Sequence, residues 1–279
     1  MSKITLTLLF AICLCLIFNK INAQDTSIRE VSKLSDSLVT VIDDNKKATI
    51  SNKIEQLLCQ ALRDSSSFKK NELKELKRIG DVMSPDSTFR LVSWNYFKTD
   101  GSSVCNTILQ QKAKTDTCNL FCFNNKPVQK QENKQQYTGN QIPAALYYQI
   151  IPTNFKGYSN MYIVLGMKTG NLMTQSKSIE TLYFNKNGIP VMGTPVFQYN
   201  NLVINRFEFF YSAKVRMSIK YIDAEKAIII DHLSPEKPFF AGQYEYYGPD
   251  GSFDAILYDE NKWLFISDYN LFKSKKTTN

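Results

Sequence analysis

Apolar residues recur every three to four positions over 25–80. Ile28, Val31, Leu34, Leu38 and Ile42 form a first set, and Ile50, Ile54, Leu57, Leu58, Ala61 and Leu62 form a second after the polar break from Asp43 to Lys47. This is the period of one buried helix face. Leu73, Leu76 and Ile79 continue it in a shorter stretch. The segment has no proline and one glycine, Gly80, where a helix would end. The pattern predicts a helical N-terminal layer over 24–83, packed on the remainder of the chain. A helical arm that binds a partner is the other arrangement it allows.

Pro85-Asp86 marks a change of period. From there the chain alternates, is rich in aromatics and is punctuated by turn residues, which reads as strands. Phe89, Leu91, Ser93 and Asn95 fall on one face of the first strand, and Arg90, Val92, Trp94 and Tyr96 on the other. Further strands are predicted near 103–110, 118–124, 145–151, 160–167, 178–184, 190–198, 206–213, 215–222, 227–232, 243–247, 253–258 and 263–267. Asn187-Gly188 predicts a tight hairpin with both residues at positive φ. Asp100-Gly101 and Asp250-Gly251 read as turns, as do Asp223 to Lys226 and Glu260-Asn261. Residues 126–141, rich in Gln, Lys and Asn, read as an exposed loop. No helical period returns after residue 85. The fold class is therefore α+β: N-terminal helices, then a large mostly antiparallel β domain over 84–279, as a sandwich, a barrel or a propeller-like array.

The first 23 residues stand apart. Lys3 precedes an apolar run from Ile4 to Phe18, and Ile21-Asn22-Ala23 ends on a small residue. That is the layout of a secretory signal peptide. The run is about 15 residues, short of the roughly 18 a membrane-spanning helix needs. No small residue directly precedes Cys13 or Cys15, as a lipoprotein would require. The expectation is export to the periplasm or beyond, with no transmembrane segment in the mature chain.

Charge and cysteines refine this. The formal net charge of +8 is scattered along the chain rather than gathered in a basic stripe with interleaved aromatics, so no nucleic-acid partner is expected. After the leader, four cysteines remain: Cys59, Cys105, Cys118 and Cys122. An exported chain permits disulfides. Cys105 and Cys122 lie roughly equidistant from the polar turn Lys112 to Asp116, which predicts a disulfide across a hairpin. Closing that loop would stabilise the fold by roughly 3 kcal/mol. The close cysteine pairs and histidines of zinc sites are absent, and no cofactor is expected.

Candidate chemistry is sparse. His232 is the one histidine, and no G-x-S-x-G elbow accompanies it. Its neighbour Asp231 would point to the opposite face of a strand. Asp250, Ser252 and Asp254 have the spacing of early calcium-loop ligands, but Ala255 and Asn261 stand where that loop needs Gly and Glu. Glu180, Glu208, Asp231, Asp254 and Asp259 are acids of the type glycoside hydrolysis pairs in a cleft. Aromatics cluster at Tyr147-Tyr148, at Phe207, Phe209, Phe210 and Tyr211, at Phe239-Phe240 and at Tyr244, Tyr246 and Tyr247. A tyrosine offers a flat apolar face and a polar tip, suited to sugar or peptide recognition. Tyr244 and Tyr246 would share one strand face opposite Tyr247, so this trio is the candidate binding site.

Several phrases resemble an uncharacterised family of exported Gram-negative bacterial proteins. They are 84–90 with Trp94, the run from Lys177 to Phe184 leading to Asn187-Gly188-Ile189-Pro190-Val191, and Gly248-Pro249-Asp250 leading to Phe253-Asp254 and Lys262-Trp263. The strand pair from Phe209 to Ser218, followed by Ile230-Asp231-His232-Leu233, fits as well. The likeness covers roughly 84–270. It implies export and a helical-then-β layout, and it assigns no catalytic residues. The expectation is an exported envelope protein that binds an envelope protein or a glycan, or serves structurally. The alternative is a hydrolase of envelope glycans or peptides.

Overall fold

The computed structural model describes residues 27–69, 72–113, 115–123, 134–153, 155–158, 160–259 and 262–271. The leader, residues 126–133 of the loop at 126–141 and the pair Glu260-Asn261 lie outside them. No described helix is long and apolar enough to cross a membrane. The chain divides into two compact units, one of residues up to Ile79 with Gln110–Leu120, the other of Gly80–Leu109 with Phe121 onward.

The smaller unit carries the predicted helices, α1 over 27–40 and α2 over Asp44–Leu62. Asp43 starts α2 by accepting a 2.7 Å hydrogen bond from the Lys46 amide, which satisfies one orphan donor of the first turn. Ile54, Leu57, Leu58, Ala61 and Leu62 form its buried face. Ile42 falls in the break between the helices and is 78% exposed, so the first apolar face ends before it. The third stretch forms only a short 3-10 turn at Glu72–Glu75. Gln110 ties its segment to the helices by donating to the Leu62 carbonyl (2.5 Å) and to Ser67 Oγ (2.7 Å).

The described strands form three sheets. The first orders β1 (Gly80–Met83), β2 (Phe89–Phe97), β3 (Ser103–Lys112) and β4 (Cys118–Phe123). The second orders β5 (Tyr137–Thr138), β9 (Pro190–Met192), β8 (Thr174–Phe184), β7 (Met161–Lys168) and β6 (Leu146–Thr153), with β12 (Arg206–Ser212) also paired to β8. The third orders β11 (Leu202–Ile204), β10 (Phe197–Tyr199), β16 (Lys262–Ile266), β15 (Tyr247–Asp259), β14 (Ala227–Pro235) and β13 (Ile219–Ile222). Pairing in the second and third sheets is antiparallel except where β10 runs parallel to β16. The α+β class with a mostly antiparallel β region is therefore the observed one.

The second sheet is buried on both faces. Ile163, Leu165 and Ile179 pack with Ile228, Ile230, Ile256 and Trp263 of the third sheet. Tyr162, Val164 and Leu182 pack with Phe89, Leu91 and Leu109 of the first. This explains why β7 reads as a continuous apolar run instead of an alternation.

Charge is buried in the same sheet. The register sets Arg206 opposite Glu180, and Arg206 Nε donates to Glu180 Oε2 at 3.0 Å. Lys168 Nζ lies 3.6 Å from Glu208 Oε1 and makes no hydrogen bond. Burial pushes the Glu180 carboxyl above its usual range, and the attraction of Arg206 and then Lys168 only partly opposes it.

Five expectations are corrected. None of Cys59, Cys105, Cys118 and Cys122 is in a disulfide, so the predicted Cys105–Cys122 bridge is not made. Cys105, Leu109 and Phe123 belong to one core cluster, with Phe121 packed against it. Cys122 lies between Phe121 and Phe123 on β4 and points to the other face, away from Cys105. The 190–198 segment is two strands in different sheets, because Gly193 at φ +86° follows β9. The Asn185–Ile189 hairpin has positive φ at Gly188 but not at Asn187. Asn185 Oδ1 accepts from the amides of Asn187 and Ile189 at 2.9 and 3.0 Å, which makes it an asparagine-stabilised turn. Asp250-Gly251 does not separate two strands; it lies inside β15, at a register shift opposite Asp231 to Leu233. The predicted strand at 243–247 is a 3-10 turn over Tyr244–Tyr246, with β15 starting at Tyr247.

Candidate functional site

The link between β14 and β15 displays the densest exposed aromatic surface among the described residues. Pro238 opens a 3-10 turn over Pro238–Phe240, and a second turn covers Tyr244–Tyr246. The two are locked by backbone hydrogen bonds: Phe240 N to Lys237 O (2.9 Å), Gln243 N to Phe240 O (2.9 Å), Tyr246 N to Gln243 O (3.0 Å) and Glu236 N to Tyr246 O (2.9 Å). Gly242, at φ +83°, makes the reversal between them and donates its amide to the Tyr247 hydroxyl at 3.0 Å.

This backbone stacks the rings. Phe240 and Tyr246 lie nearly parallel (12°) with centroids 3.9 Å apart, and Phe239 abuts Phe240 at 4.1 Å. Tyr244 packs on Phe210 of β12 at 5.4 Å and on Tyr247 at 5.2 Å. Phe239 is 68% exposed, Tyr244 39% and Tyr246 37%. The tyrosines named from the sequence fall into two ring groups, Tyr246 with Phe240 and Phe239, and Tyr244 with Tyr247 and Phe210, set by turns and not by strand alternation. Phe210 and Phe239-Phe240 join them; both were legible as aromatic clusters, but their meeting with the tyrosines was not.

His232 and Asp254 form a second polar feature. His232 Nδ1 lies 3.1 and 3.0 Å from the two carboxylate oxygens of Asp254. Asp254 is buried and also accepts from the Asp268 amide at 3.2 Å. The pair supplies an oriented imidazole, the second and third members of a catalytic triad. Among the described residues no hydroxyl or thiol hydrogen-bonds to the other ring nitrogen, so no nucleophile is assembled. Asp250 lies close by. The amide and hydroxyl of Ser252 hold its carboxyl below the usual range, and the nearby His232 and Ser234 add to this. Among the described residues no cluster of three or more His, Cys, Asp or Glu is arranged to hold a metal ion. Asp250 instead accepts from Ser252 within β15, and Asp254 bonds His232 of β14 and the Asp268 amide.

The candidate acids are dispersed. Glu180 and Glu208 are buried in ion pairs with Arg206 and Lys168. Asp254 is engaged with His232, and Asp259 is exposed at the end of β15. Asp231 alone of the five lines an open pocket of about 500 Å³, bordered also by Tyr148, Gln149, Lys177, Arg216 and Lys220. The basic residues of this pocket come from β8 (Lys177), β13 (Lys220) and the link before β13 (Arg216), and carried no signal in the sequence.

Comparison with known protein families, with curated proteins and with solved structures finds no match for this chain.

Proposed function

We propose that this is an exported, non-catalytic binding module of the cell envelope, and that the aromatic platform at 238–247 takes a glycan. The observation that carries the reading is the group of neighbouring aromatics on hydrogen-bonded turns, with Phe239, Tyr244 and Tyr246 exposed and Phe240 half-buried beneath the Tyr246 ring. Flat ring faces fit the apolar faces of sugar rings, and the tyrosine hydroxyls offer donors and acceptors to sugar hydroxyls. Glu236, Lys237, Gln243 and Glu245 supply a polar rim in the same link. The leader layout, with Lys3 and the apolar run from Ile4 to Phe18, supports export to the periplasm or beyond.

The hydrolase alternative is less well supported. Glycoside hydrolysis needs two carboxyl groups about 5–10 Å apart in one cleft. The pocket contains Asp231 alone, and its Oδ2 already accepts from the Ser218 amide at 2.7 Å. The test is retention. The purified protein is immobilised and exposed to a panel of cell-wall and dietary glycans and to envelope extract. Retention of one glycan class supports the reading. Cleavage of a panel member, or retention of a protein with no glycan, overturns it.

A further inference from the structure

The second and third sheets end in edge strands β6 and β13, and the 500 Å³ pocket opens between them. Two side chains bridge the edges. The Tyr148 hydroxyl donates to the Ile219 carbonyl at 3.4 Å, and Gln149 Oε1 accepts from the Tyr221 amide at 3.4 Å. A register shift in β6 between Tyr147 and Gln149 sets Tyr148 out of the regular ladder. The pocket is thereby pre-formed, and its size is within the range of small-molecule sites.

Its charge is unbalanced. Lys177 enters from β8, with Nζ 4.8 Å above the Tyr148 ring. Arg216 and Lys220 line the same space, and Asp231 is the one acid. One of its two carboxylate oxygens accepts from the Ser218 amide. Burial lowers the hold of Lys177 on its proton; Asp231 opposes this and Lys220 adds to it. Three cations facing one committed carboxylate leave an excess of positive potential in a concave site, which an anion would relieve.

We propose that this pocket binds a small molecule bearing a phosphate or carboxylate, up to about the size of a sugar phosphate. Lys177 and Arg216 meet the oxyanion, Lys220 contributes from the rim, and Gln149 is placed to bond a neutral hydroxyl. The site shares no residue with the aromatic platform.

The test is calorimetric titration of the purified protein at low salt with inorganic phosphate, glucose 6-phosphate, glucuronate and glucose. Binding is expected for at least one anion and not for glucose, weakening as salt rises. Phosphate and glucuronate separate the two oxyanion chemistries. Lys177→Gln is expected to weaken binding about tenfold or more, the effect of one lost charge-assisted contact. Arg216 is exposed, so Arg216→Gln should weaken binding without disturbing the fold. Asp231→Asn should tighten it several-fold. The proposal is overturned if no anion binds, if glucose binds as well as glucose 6-phosphate, or if Arg216→Gln binds like the unaltered protein.

Discussion

Arg206→Met removes one member of a buried ion pair and keeps most of the side-chain volume. Arg206 is fully buried, its guanidinium lies 5.0 Å from the Tyr137 ring centroid, and its Nε bonds Glu180, itself 3% exposed. Without Arg206, Glu180 keeps only the more distant attraction of Lys168, which is already 3.6 Å from Glu208. Breaking a buried pair from one side typically costs about 3–5 kcal/mol, a large share of the roughly 5–15 kcal/mol that holds a domain folded. The pH dependence identifies the cause. The Glu180 carboxyl is already raised in the folded state, and the substitution raises it further. A group raised on folding contributes most stability below its unfolded value, about 4.3, and loses it as pH rises through the folded value. The deficit should therefore be larger at pH 7.5 than at pH 5. Urea unfolding followed by the fluorescence of the buried Trp94 and Trp263 measures it. The double variant Arg206→Met with Glu180→Met should recover to within about 2 kcal/mol of the unaltered protein, since apolar replacement of a buried pair is often neutral. A single variant within about 1 kcal/mol of the parent, a deficit that does not change with pH, or a double variant no better than the single would refute the reasoning.

The same structure sets other outcomes. Gly193→Ala should lower the thermal midpoint, because Gly193 sits at φ +86° and an added Cβ would collide with the Arg206 guanidinium and the Gln135 carbonyl; the strain alone is worth about 1–3 kcal/mol. Tyr162 donates to Asp86 Oδ2 at 2.5 Å, and burial, then this bond, push its hydroxyl up to about 12. A raised tyrosine stabilises the fold below its unfolded value near 10 and stops doing so as pH climbs toward 12, so Tyr162→Phe should flatten the fall in melting temperature over that interval. Intact-mass analysis with and without reductant should show no change, and alkylation in denaturant should label Cys59, Cys105, Cys118 and Cys122 alike; burial raises the Cys105 thiol and should leave it unlabelled in the native state.

The sequence carried the helices and most strands because each has one dominant period. The Asp43 cap and the faces of α2 are local features, and so is the alternation of β2. Sheet assignment is not local: β8 pairs with β7, β9 and β12, and a single residue, Gly193, marks where the chain passes from β9 to β10 in another sheet. Tyr244 to Tyr247 alternates like a strand, yet Pro238 and Gly242 commit the link to turns, so Tyr246 stacks on Phe240 while Tyr244 packs on Tyr247 and Phe210. The hairpin spacing of Cys105 and Cys122 was legible, but the face each one takes depends on the parity of β3 and β4. Lys177, Arg216 and Lys220 looked like scattered surface charge because their convergence depends on two sheet edges meeting.

The central claim is that the platform at 238–247 binds a glycan, and the most direct measurement is the affinity of any retained glycan for the variants Phe239→Ala and Tyr246→Ala. Both residues are substantially exposed, so melting temperatures should stay close to that of the parent. The account predicts that glycan binding falls about tenfold or more in each, as expected when a central aromatic anchor is removed. Unchanged affinity in both variants, or no glycan retained by the unaltered protein, would contradict it.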